Sequence, residues 1–478
     1  MSSTLLLAAV LVPVLGSPVL PLIGSYSERA RNLSALVLVL ISLAASTALL
    51  PVIRTGENVF TGSVLSLGPT IFHADMLAVF MAIVSIIVGA IIVFYSFGYI
   101  QSFDHRDEYY FVVVLFLGAM MGLIYANNLI ILYLFWEITA FACWRLIGFF
   151  REDKQVLKAN KAFLITMFGS LVMLIGFLMI YSQTGTFDLN LIKEQLKNTP
   201  VSNGAVILIL FGILSKSATL PFHTWLPDAG VAPSPVTALL HAAVLVKIGV
   251  YVFARLFVAT MSIDPIWHTF VPWIAGVSSM VSAGAALLEN DMKRIIAYST
   301  ISQLGFIFLG LSIGNEIGIV GGLLYILMHS LAKGGLFLCA GIVEHGTHTK
   351  DITKMGGLAS SMPVTTGAFL VCALSVMGIP PFGGFFSKFL VLAGAVKSNQ
   401  YALAAVFFIG AVFTMLYLTR LFVMIFLGEA RGQSAHEGTP EMVVSVALLG
   451  ILSLAGGLFV HIPLNYLHAT TRMLLGGS

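Results

Sequence analysis

Charged residues are scarce in this sequence. Lysine, arginine, aspartate and glutamate together make up only 9% of its 478 residues, whereas 58% are hydrophobic. Soluble globular proteins carry about 25% charged residues, and a chain with far less cannot cover a surface that faces water. The shortage of charge therefore excludes a soluble globular protein and predicts a polytopic membrane protein.

Cysteines and basic clusters are also lacking. The three cysteines, Cys143, Cys339 and Cys372, stand singly in apolar segments without CxxC spacing, so neither an iron–sulfur cluster nor a zinc site is predicted. The net charge of +3 is spread over loops, and there is no basic run of the kind that binds nucleic acid. We expect no catalytic residue, no cofactor and no metal in this chain.

Long apolar runs fill most of the chain, and they predict an all-α architecture. A membrane-spanning helix needs about 20 mostly apolar residues. Fourteen spans are predicted, at residues 3–23, 33–53, 72–99, 109–126, 127–148, 159–181, 204–228, 233–258, 268–288, 294–313, 317–344, 363–396, 400–427 and 442–462. No segment between them is long enough for a soluble domain, so the chemistry must lie within the membrane or in partner chains.

Two of the predicted spans are interrupted by proline. The seventh contains Pro221 after Lys216, and the twelfth contains Pro381 before Lys388. Interrupted apolar helices indicate ion or substrate sites, because the freed backbone must line a cavity. The recurrence of a proline and a nearby lysine predicts two five-helix repeats, spans four to eight and spans nine to thirteen. Because each repeat has an odd number of helices, the two lie in the membrane with opposite orientations. The predicted divisions are 1–103 for helices 1–3, 104–262 and 263–428 for the repeats, and 429–478 for helix 14.

The distribution of lysine and arginine between loops predicts the orientation. With the N-terminus outside, thirteen of these residues fall in cytoplasmic loops and six on the outer side. This bias follows the positive-inside rule and predicts that both termini lie outside. We expect a multi-pass protein of a prokaryotic-type cytoplasmic membrane. In the outer loop from Asp188 to Asn198, Leu189, Ile192 and Leu196 have helical spacing and predict a short amphipathic helix.

Ionisable side chains inside the spans carry the strongest functional signal. A charged residue at bilayer depth costs about 2.5 to 3.5 kcal/mol on insertion scales and usually has a function. Glu137 is central in span five, Lys216 follows in span seven, and Lys247 is central in span eight. Burial lowers the proton affinity of an amine and a carboxylate restores it, so a lysine with a movable partner can carry protons. The alternatives are a structural ion pair for Glu137, lysines that extend to the interface, and a structural role for His241.

A second polar group follows in the later spans. Tyr325, His329 and Lys333 are spaced four residues apart and form one stripe on span eleven. Lys388 lies in span twelve. Arg420 in span thirteen is close enough to a helix end to have a structural role.

Together these residues predict a buried polar axis. If Glu137, the four lysines and Arg420 were all charged and unpaired, the cost would be about 15 to 20 kcal/mol, which exceeds the typical stability of a folded chain. They must therefore share water, partner charges or neutral protonation states. The predicted ion pathway contains Glu137, Lys216, His241, Lys247, Tyr325, His329, Lys333 and Lys388.

Four ordered sequence blocks resemble a known family. They are KSATLPFHTWLPDA, APSPVTALLHAAVLVKIGVY, ENDMKRIIAYSTISQLG and MGIPPFGGFFSKF. They are similar to the antiporter-like, proton-translocating subunits shared by respiratory complex I, membrane-bound energy-converting NiFe hydrogenases with formate hydrogenlyases, and multisubunit Na⁺/H⁺ antiporters. The resemblance implies fourteen helices, inverted repeats and a hydrated axis, in which Glu137, Lys216, Lys247 and Lys388 match the family's pathway positions.

The resemblance also implies partners. Lysine at position 388 disfavours a complex I subunit type with glutamate there, and the segment AKGGLFLCAGIVEHGTHTKDI is most similar to hydrogenase-type subunits. We expect other membrane subunits, including antiporter-like paralogues, within the lipid bilayer. Soluble redox subunits would hold Fe–S clusters and, in a hydrogenase, a NiFe centre. This chain would then be a membrane subunit of an oxidoreductase complex without a redox centre of its own.

The predicted mechanism is proton transfer along this axis. Protons would enter from the cytoplasm into the half of the pathway that ends at Lys247. They would pass along Lys216, Lys247, Lys333 and Lys388 and leave to the outside near Lys388. The pair of Glu137 and Lys216 would act as the gate, and electron transfer in the redox subunits would drive the cycle. The alternative is a subunit of a secondary Na⁺/H⁺ antiporter without redox partners. A scaffold that conducts nothing is disfavoured by the density of charges within the spans.

Overall fold

The computed structural model describes residues 2–61, 70–197, 199–431 and 436–476. Within these residues, twelve helices are long and apolar enough to cross a membrane. The other two predicted spans, 204–228 and 363–396, are the proline-interrupted ones, and they begin with the shorter apolar helices Asn203–Lys216 and Pro363–Met377. The prediction of an all-α polytopic membrane protein with broken helices 7 and 12 is confirmed.

The chain divides into two compact units. The first comprises Met1–Val93, Ile100–Lys216 and Tyr251–Asp264, and the second comprises Phe94–Tyr99, Ser217–Val250 and Pro265–Ser478. The division into the repeats 104–262 and 263–428 stays a prediction.

The first unit contains a small hairpin and most of the first ten helices. Strand β1 (Val59–Phe60) pairs antiparallel with β2 (His73–Ala74). The helices are α1 (Ser2–Gly16), α2 (Leu20–Gly24), α3 (Glu28–Ala48), α4 (Leu50–Arg54), α5 (Met76–Tyr99), α6 (Arg106–Tyr125), α7 (Leu129–Ile147), α8 (Asp153–Thr184), α9 (Leu189–Gln195) and α10 (Asn203–Lys216). The last six residues of α5 belong to the second unit.

The second unit contains the remaining helices. They are α11 (Trp225–Asp228), α12 (Ser234–Ala238), α13 (Leu245–Phe253), α14 (Trp267–Leu288), α15 (Met292–Ser312), α16 (Glu316–Thr347), α17 (Pro363–Met377), α18 (Gly383–Lys397), α19 (Tyr401–Phe426), α20 (Pro440–Leu458) and α21 (His461–Leu474). A π-helical turn, Leu239–Ala243, joins α12 to α13, and a second one, Ala254–Val258, follows α13. The residues of α13 from Tyr251 onward belong to the first unit.

Polar caps fix where several helices begin. The first four amides of a helix have no partner within it, so a side-chain oxygen in front of the helix stabilises it. Asn128 accepts hydrogen bonds from the amides of Ile130 and Ile131 at the start of α7. Asn315 caps α16 and Asp291 caps α15 in the same way. Because α7 and α16 carry predicted pathway residues, their caps also set the depth of those side chains.

The two interrupted helices differ from ordinary spans at the proline-containing segments. Chain 217–224 separates α10 from α11, and chain 378–382 separates α17 from α18. Ala218 has φ 49°, a left-handed conformation that costs energy for a residue with a Cβ. A Cβ on Gly384 would lie 1.8 Å from the carbonyl oxygen of Ser375, so glycine allows the two halves of helix 12 to approach closely.

Two short helices lie outside the predicted spans. Helix α9 confirms the helix predicted from the spacing of Leu189 and Ile192, both of which are buried, while Asn198 lies outside the described residues. Helix α21 was not predicted. It has fewer than the 20 residues of a span, and it places His468 3.2 Å from Glu316.

Candidate ion-translocation site

In the first unit, Lys216 is the last residue of α10 and is fully buried. Its Nζ donates a hydrogen bond of 3.2 Å to the carbonyl oxygen of Trp136. The same ammonium group lies 5.2 Å from the centre of the Trp136 ring. A cation over an indole ring is stabilised electrostatically, so Trp136 holds Lys216 in two ways.

Glu137 follows Trp136 on α7 and is an electrostatic neighbour of Lys216. Within the described residues, the two side chains form no ion pair or hydrogen bond, and neither carboxylate oxygen of Glu137 has a hydrogen-bond partner. Buried polar atoms without a partner are rare in folded proteins. The structure thus brings the predicted gate residues into the same region without joining them.

In the second unit, His241 lies in the π-helical turn Leu239–Ala243. Such turns are frequent at functional sites because they displace one side chain from the regular helix. The imidazole is fully buried against the Phe337 ring, with ring centres 4.4 Å apart. Neither ring nitrogen of His241 has a hydrogen-bond partner in the described part of the chain.

Lys247 and His329, like His241, are buried without hydrogen-bond partners among the described residues. Lys247 lies in α13, on the span where it was predicted, and His329 lies in α16. Neither the Lys247 amine nor either His329 ring nitrogen has a hydrogen-bond partner among the described residues. Buried groups of this kind are normally satisfied by internal water.

Lys333 and Lys388 are hydrogen-bonded to neighbouring helices. The Lys333 amine donates to the carbonyl oxygen of Ile296, at 3.0 Å, and to the hydroxyl of Ser299. The Lys388 amine donates to the carbonyl oxygen of Val376, at 2.7 Å. Because Val376 precedes the break in helix 12 and Lys388 follows it, this bond connects the two halves.

Aromatic rings surround the Lys388 amine. It lies 4.7 Å from the centre of the Phe306 ring and 5.7 Å from the centre of the Tyr325 ring. Tyr325 also packs edge-on against His329, with ring centres 5.9 Å apart. The predicted stripe on α16 is therefore in contact with the predicted lysine of helix 12.

The buried basic residues of the second unit form one electrostatic cluster. His329 interacts electrostatically with Lys247, Lys333, Lys388 and His241. Lys333 interacts with Lys388 and Lys247. Like charges in a buried site repel strongly, so the five groups cannot all carry a proton at once without a large cost. Adding a proton to one member therefore favours its loss from another. We call these five residues the basic cluster.

A polar network that the sequence analysis missed borders the basic cluster. The Tyr325 hydroxyl donates to Gln303 Oε1 at 2.6 Å. The Gln303 amide donates to Thr414 Oγ1 at 3.0 Å and to the Tyr417 hydroxyl at 3.2 Å. Ser299 and Gln303 stand four residues apart on α15, a spacing that could have marked a polar face in an otherwise apolar span.

The contacts of Arg420 are those of a structural residue. Its guanidinium donates hydrogen bonds of 2.9 and 2.8 Å to the carbonyl oxygens of Leu287 and Glu289 at the end of α14. Cationic side chains often satisfy the last carbonyl groups of a helix in this way. This agrees with the structural role considered for Arg420 in the sequence analysis.

Metal binding finds no support in the described residues. They contain no group of three or more His, Cys, Asp and Glu side chains that could hold a metal ion. The three cysteines are free and buried.

A comparison with protein families identifies most of this region. Residues 126–414 match the family described as NADH:quinone oxidoreductase/Mrp antiporter, transmembrane. The chain belongs to this family. The match includes Glu137, Lys216, Lys247 and Lys388, the four residues placed by the sequence resemblance, and it confirms that resemblance.

Relatives of this NADH:quinone oxidoreductase/Mrp antiporter family member include antiporter subunits. One Na⁺/H⁺ antiporter subunit, from Alkalihalophilus pseudofirmus, is 34% identical, over 96% of this chain and 62% of the relative. Another Na⁺/H⁺ antiporter subunit, from Staphylococcus haemolyticus, is 35% identical, over 81% of this chain and 52% of the relative. The chain thus spans between half and two thirds of the length of these relatives. The preference for a hydrogenase-type subunit stays a prediction.

Solved structures share the fold of this family member. One is the Mrp complex from Dietzia sp. DQ12-45-1b, with a chain that is 23% identical at a TM-score of 0.91, covering 99% of this chain and 97% of that one. Another is the membrane-bound sulfane sulfur reductase, described as an archaeal respiratory membrane complex, with 22% identity, a TM-score of 0.91 and coverage of 99% and 98%. At these identities, the likeness shows the fold.

Proposed function

We propose that this chain is a proton-translocating, antiporter-like subunit of a multisubunit membrane complex. The observation that carries the proposal is the basic cluster, in which Lys247, His241 and His329 are buried without hydrogen-bond partners among the described residues. Ionisable groups in this state at membrane depth are expensive and typically belong to ion pathways. Water entering the cluster would satisfy them and would also connect them for proton transfer.

The amines and imidazoles would hold the proton in turn. Each lysine can bind a proton when it meets a hydrogen-bond acceptor, as Lys333 does at Ile296 and Lys388 does at Val376. Repulsion between like charges favours release from a neighbour when a new proton arrives. Lys388 lies nearest to the break of helix 12 and is our proposed point of release. The order Lys216, Lys247, Lys333, Lys388 stays a prediction.

In the first unit, Lys216 would act as a switch. Its amine is bonded to the Trp136 carbonyl oxygen, and the Glu137 carboxylate lies on the adjacent residue. Rotation of the amine from the carbonyl to the carboxylate would form the predicted ion pair and increase the proton affinity of the amine. Opening the pair would lower that affinity and release the proton.

The test is the loss of ion transport when Lys388 becomes neutral. We expect Lys388→Met, in the complete complex, to abolish proton movement across the membrane of everted vesicles while the complex still assembles. Lys397→Met is the matched control, because Lys397 is an exposed lysine at the end of the same helix. Wild-type transport by Lys388→Met would contradict the proposed release site.

The source of energy has two candidates. The relatives that are named Na⁺/H⁺ antiporter subunits favour a secondary antiporter complex, in which the chain works with other membrane subunits and no redox partner. The fold is also that of a chain in the membrane-bound sulfane sulfur reductase, a respiratory membrane complex. The second candidate is therefore electron transfer in partner subunits that hold Fe–S clusters or a NiFe centre. Mass spectrometry of the intact complex in mild detergent separates them. Iron–sulfur subunits would support redox coupling, and membrane subunits alone would support antiport.

The coupled ion and the orientation are part of the same proposal. We place the chain in the cytoplasmic membrane with both termini outside, because the loop charges follow the positive-inside rule. Dependence of proton movement on added Na⁺, compared with K⁺, would show whether Na⁺ is the exchanged ion.

A further inference from the structure

A partly buried carboxylate lies on α16, the helix that carries His329 and Lys333 of the basic cluster, but outside the cluster. Glu344 is eleven positions after Lys333 on α16, about 16 Å farther along the helix axis. Its Oε2 is 2.6 Å from the Lys293 amine, and its Oε1 is 3.3 Å from the Lys350 amine. The Lys293 side chain is only 2% exposed and that of Glu344 is 21% exposed. The carboxylate is thus held between two cations at the edge of the folded unit.

A polar pocket opens onto Glu344. It has a volume of about 530 Å³ and is lined by Glu344, Lys350, His348, Asp291 and Asp351, among others. A pocket of this size and polarity is large enough to hold many water molecules. It lies beside the start of α15, which contains Lys293, and the loop that contains Lys350, on the side that the charge bias predicts to be cytoplasmic. Glu344 can therefore exchange protons with water.

Two buried hydroxyl groups are linked to the carboxylate by hydrogen bonds. The Ser234 hydroxyl donates to Glu344 Oε2 at 3.2 Å, and the Tyr99 hydroxyl donates to Ser234 Oγ at 3.3 Å. Ser234 is fully buried and Tyr99 is almost so. A hydroxyl group can accept one proton while it gives up another. Ser234 is seven positions before His241, so the relay begins about two helical turns from the cluster.

The face of α16 between Glu344 and the cluster approaches this hydroxyl relay closely. A Cβ on Gly341 would lie 2.6 Å from both Ser234 Cβ and the Tyr95 hydroxyl oxygen, so glycine permits this contact. One turn closer to Lys333, Phe337 contacts the His241 ring. The positions 333, 337 and 341 share one face of the helix, and that face leads from Lys333 toward Glu344.

We propose that Glu344 is the proton-uptake group of the second unit. The inference rests on the proposed function, since it supplies the protons that the basic cluster passes on. A hydronium ion in the pocket gives its proton to the Glu344 carboxylate and leaves water. The Ser234 hydroxyl, which donates to the carboxylate in the structure, first turns away from it. The carboxyl group then gives its proton to the Ser234 oxygen, the Ser234 hydroxyl proton passes through a water molecule to His241, and the carboxylate is restored.

The charged surroundings keep Glu344 ready for the next proton. Lys293 from α15 and Lys350 from the following loop favour the ionised carboxylate. The other titratable groups that face it are Tyr99 from α5, and His348, Asp291 and Asp351 from the pocket. Any pH profile of uptake therefore has to be compared with that of a variant that changes Glu344 alone.

The experiment compares Glu344→Gln with Glu429→Gln in the complete complex. Glu429 is an exposed glutamate of the same unit that does not line the pocket. We expect Glu344→Gln to slow proton uptake about tenfold or more and to change the pH of half-maximal rate, while Glu429→Gln behaves as wild type. Glu344→Asp keeps a carboxylate, so it should restore part of the rate with its own pH of half-maximal rate. A merely structural ion pair with Lys293 and Lys350 would restore the rate without moving that pH.

A second variant keeps the inference testable if Glu344→Gln does not assemble. Ser234→Ala removes only the hydroxyl and should also slow uptake, because the relay is cut beside the carboxylate. Wild-type rates in both Glu344→Gln and Ser234→Ala, with Lys388→Met inactive, would overturn this inference and leave the proposed function standing. Wild-type transport by Lys388→Met would instead count against the proposed function itself.

Discussion

The ion pair between Asp75 and Arg255 gives the sharpest test of the first unit. Two hydrogen bonds of 2.6 and 2.7 Å join the guanidinium to the carboxylate, and Arg255 Nε donates to the Tyr251 hydroxyl at 3.1 Å. Asp75 directly follows β2 and its Oδ1 caps the start of α5 at Ala78. The pair therefore joins the hairpin to the π-helical turn Ala254–Val258 that follows α13. The perturbation is Asp75→Asn, because asparagine keeps an oxygen that can cap α5 and removes the charge.

The expected cost follows from the burial of the pair. Burial alone raises the pKa of the Asp75 carboxyl, but the attraction and hydrogen bonds of Arg255 outweigh it and hold the pKa well below its usual value. Breaking a buried pair by removing one partner costs about 3 to 5 kcal/mol, because the other charge is left uncompensated. The side chains are 8% and 17% exposed, so we expect the lower end, about 3 kcal/mol. Local opening should become roughly a hundredfold more frequent.

The assay is amide hydrogen exchange in the intact complex, read by mass spectrometry. Peptides that contain the hairpin strands should exchange faster in Asp75→Asn, since exchange reports local opening. Asp104→Asn is the control, because Asp104 is an exposed aspartate of the same unit. In the double variant Asp75→Asn/Arg255→Gln, part of the loss should be recovered, because no buried charge is left alone. Unchanged exchange in Asp75→Asn would refute the reasoning.

Two further predictions concern single side chains. Tyr325→Phe removes the hydroxyl that donates to Gln303 Oε1 and leaves that buried oxygen without its donor, so the complex should lose about 1 to 3 kcal/mol of stability, measurable as a lower temperature of detergent-induced disassembly. Desolvation by burial lowers the pKa of His73 to about 4. The open state binds this proton more tightly than the folded state does. The free energy of opening the hairpin should therefore be highest above about pH 6.5 and should fall as the pH drops toward about 4. His73→Phe, which can keep the stacking on Phe60, should flatten this dependence in hydrogen exchange.

The spans and their buried charges were predictable because the bilayer imposes simple rules. Apolar length and the interruptions at Pro221 and Pro381 predict where the helices lie and which of them are broken. The cost of charge at depth then singles out Lys247 and Lys333 without any knowledge of their neighbours. Both are fully buried in the structure.

The contacts of these residues were not predictable, since they join distant parts of the chain. Lys216 bonds to a carbonyl oxygen 80 positions away, and Gln303 bonds to Thr414 111 positions away. A backbone acceptor leaves no trace in the sequence, and a single glutamine in an apolar span resembles an ordinary helix-packing residue. The π-helical turn at His241 was likewise missed, because apolar periodicity does not distinguish it from a regular helix.

The short helix α21 shows another limit of span counting. Its 14 residues are too few to cross a bilayer, so a search for apolar runs passes over it. Its contact with Glu316 depends on the packing of α16, which only the structure supplies.

The most direct test of the account is proton transport by the complete complex in proteoliposomes when Lys247 is replaced. Lys247 is fully buried, has no hydrogen-bond partner among the described residues, and belongs to the basic cluster. Lys247→Met fills similar space but cannot bind a proton, so the account predicts that transport stops, while Lys397→Met transports at the wild-type rate. Transport at the wild-type rate by an assembled Lys247→Met complex would contradict the claim that the basic cluster carries the proton.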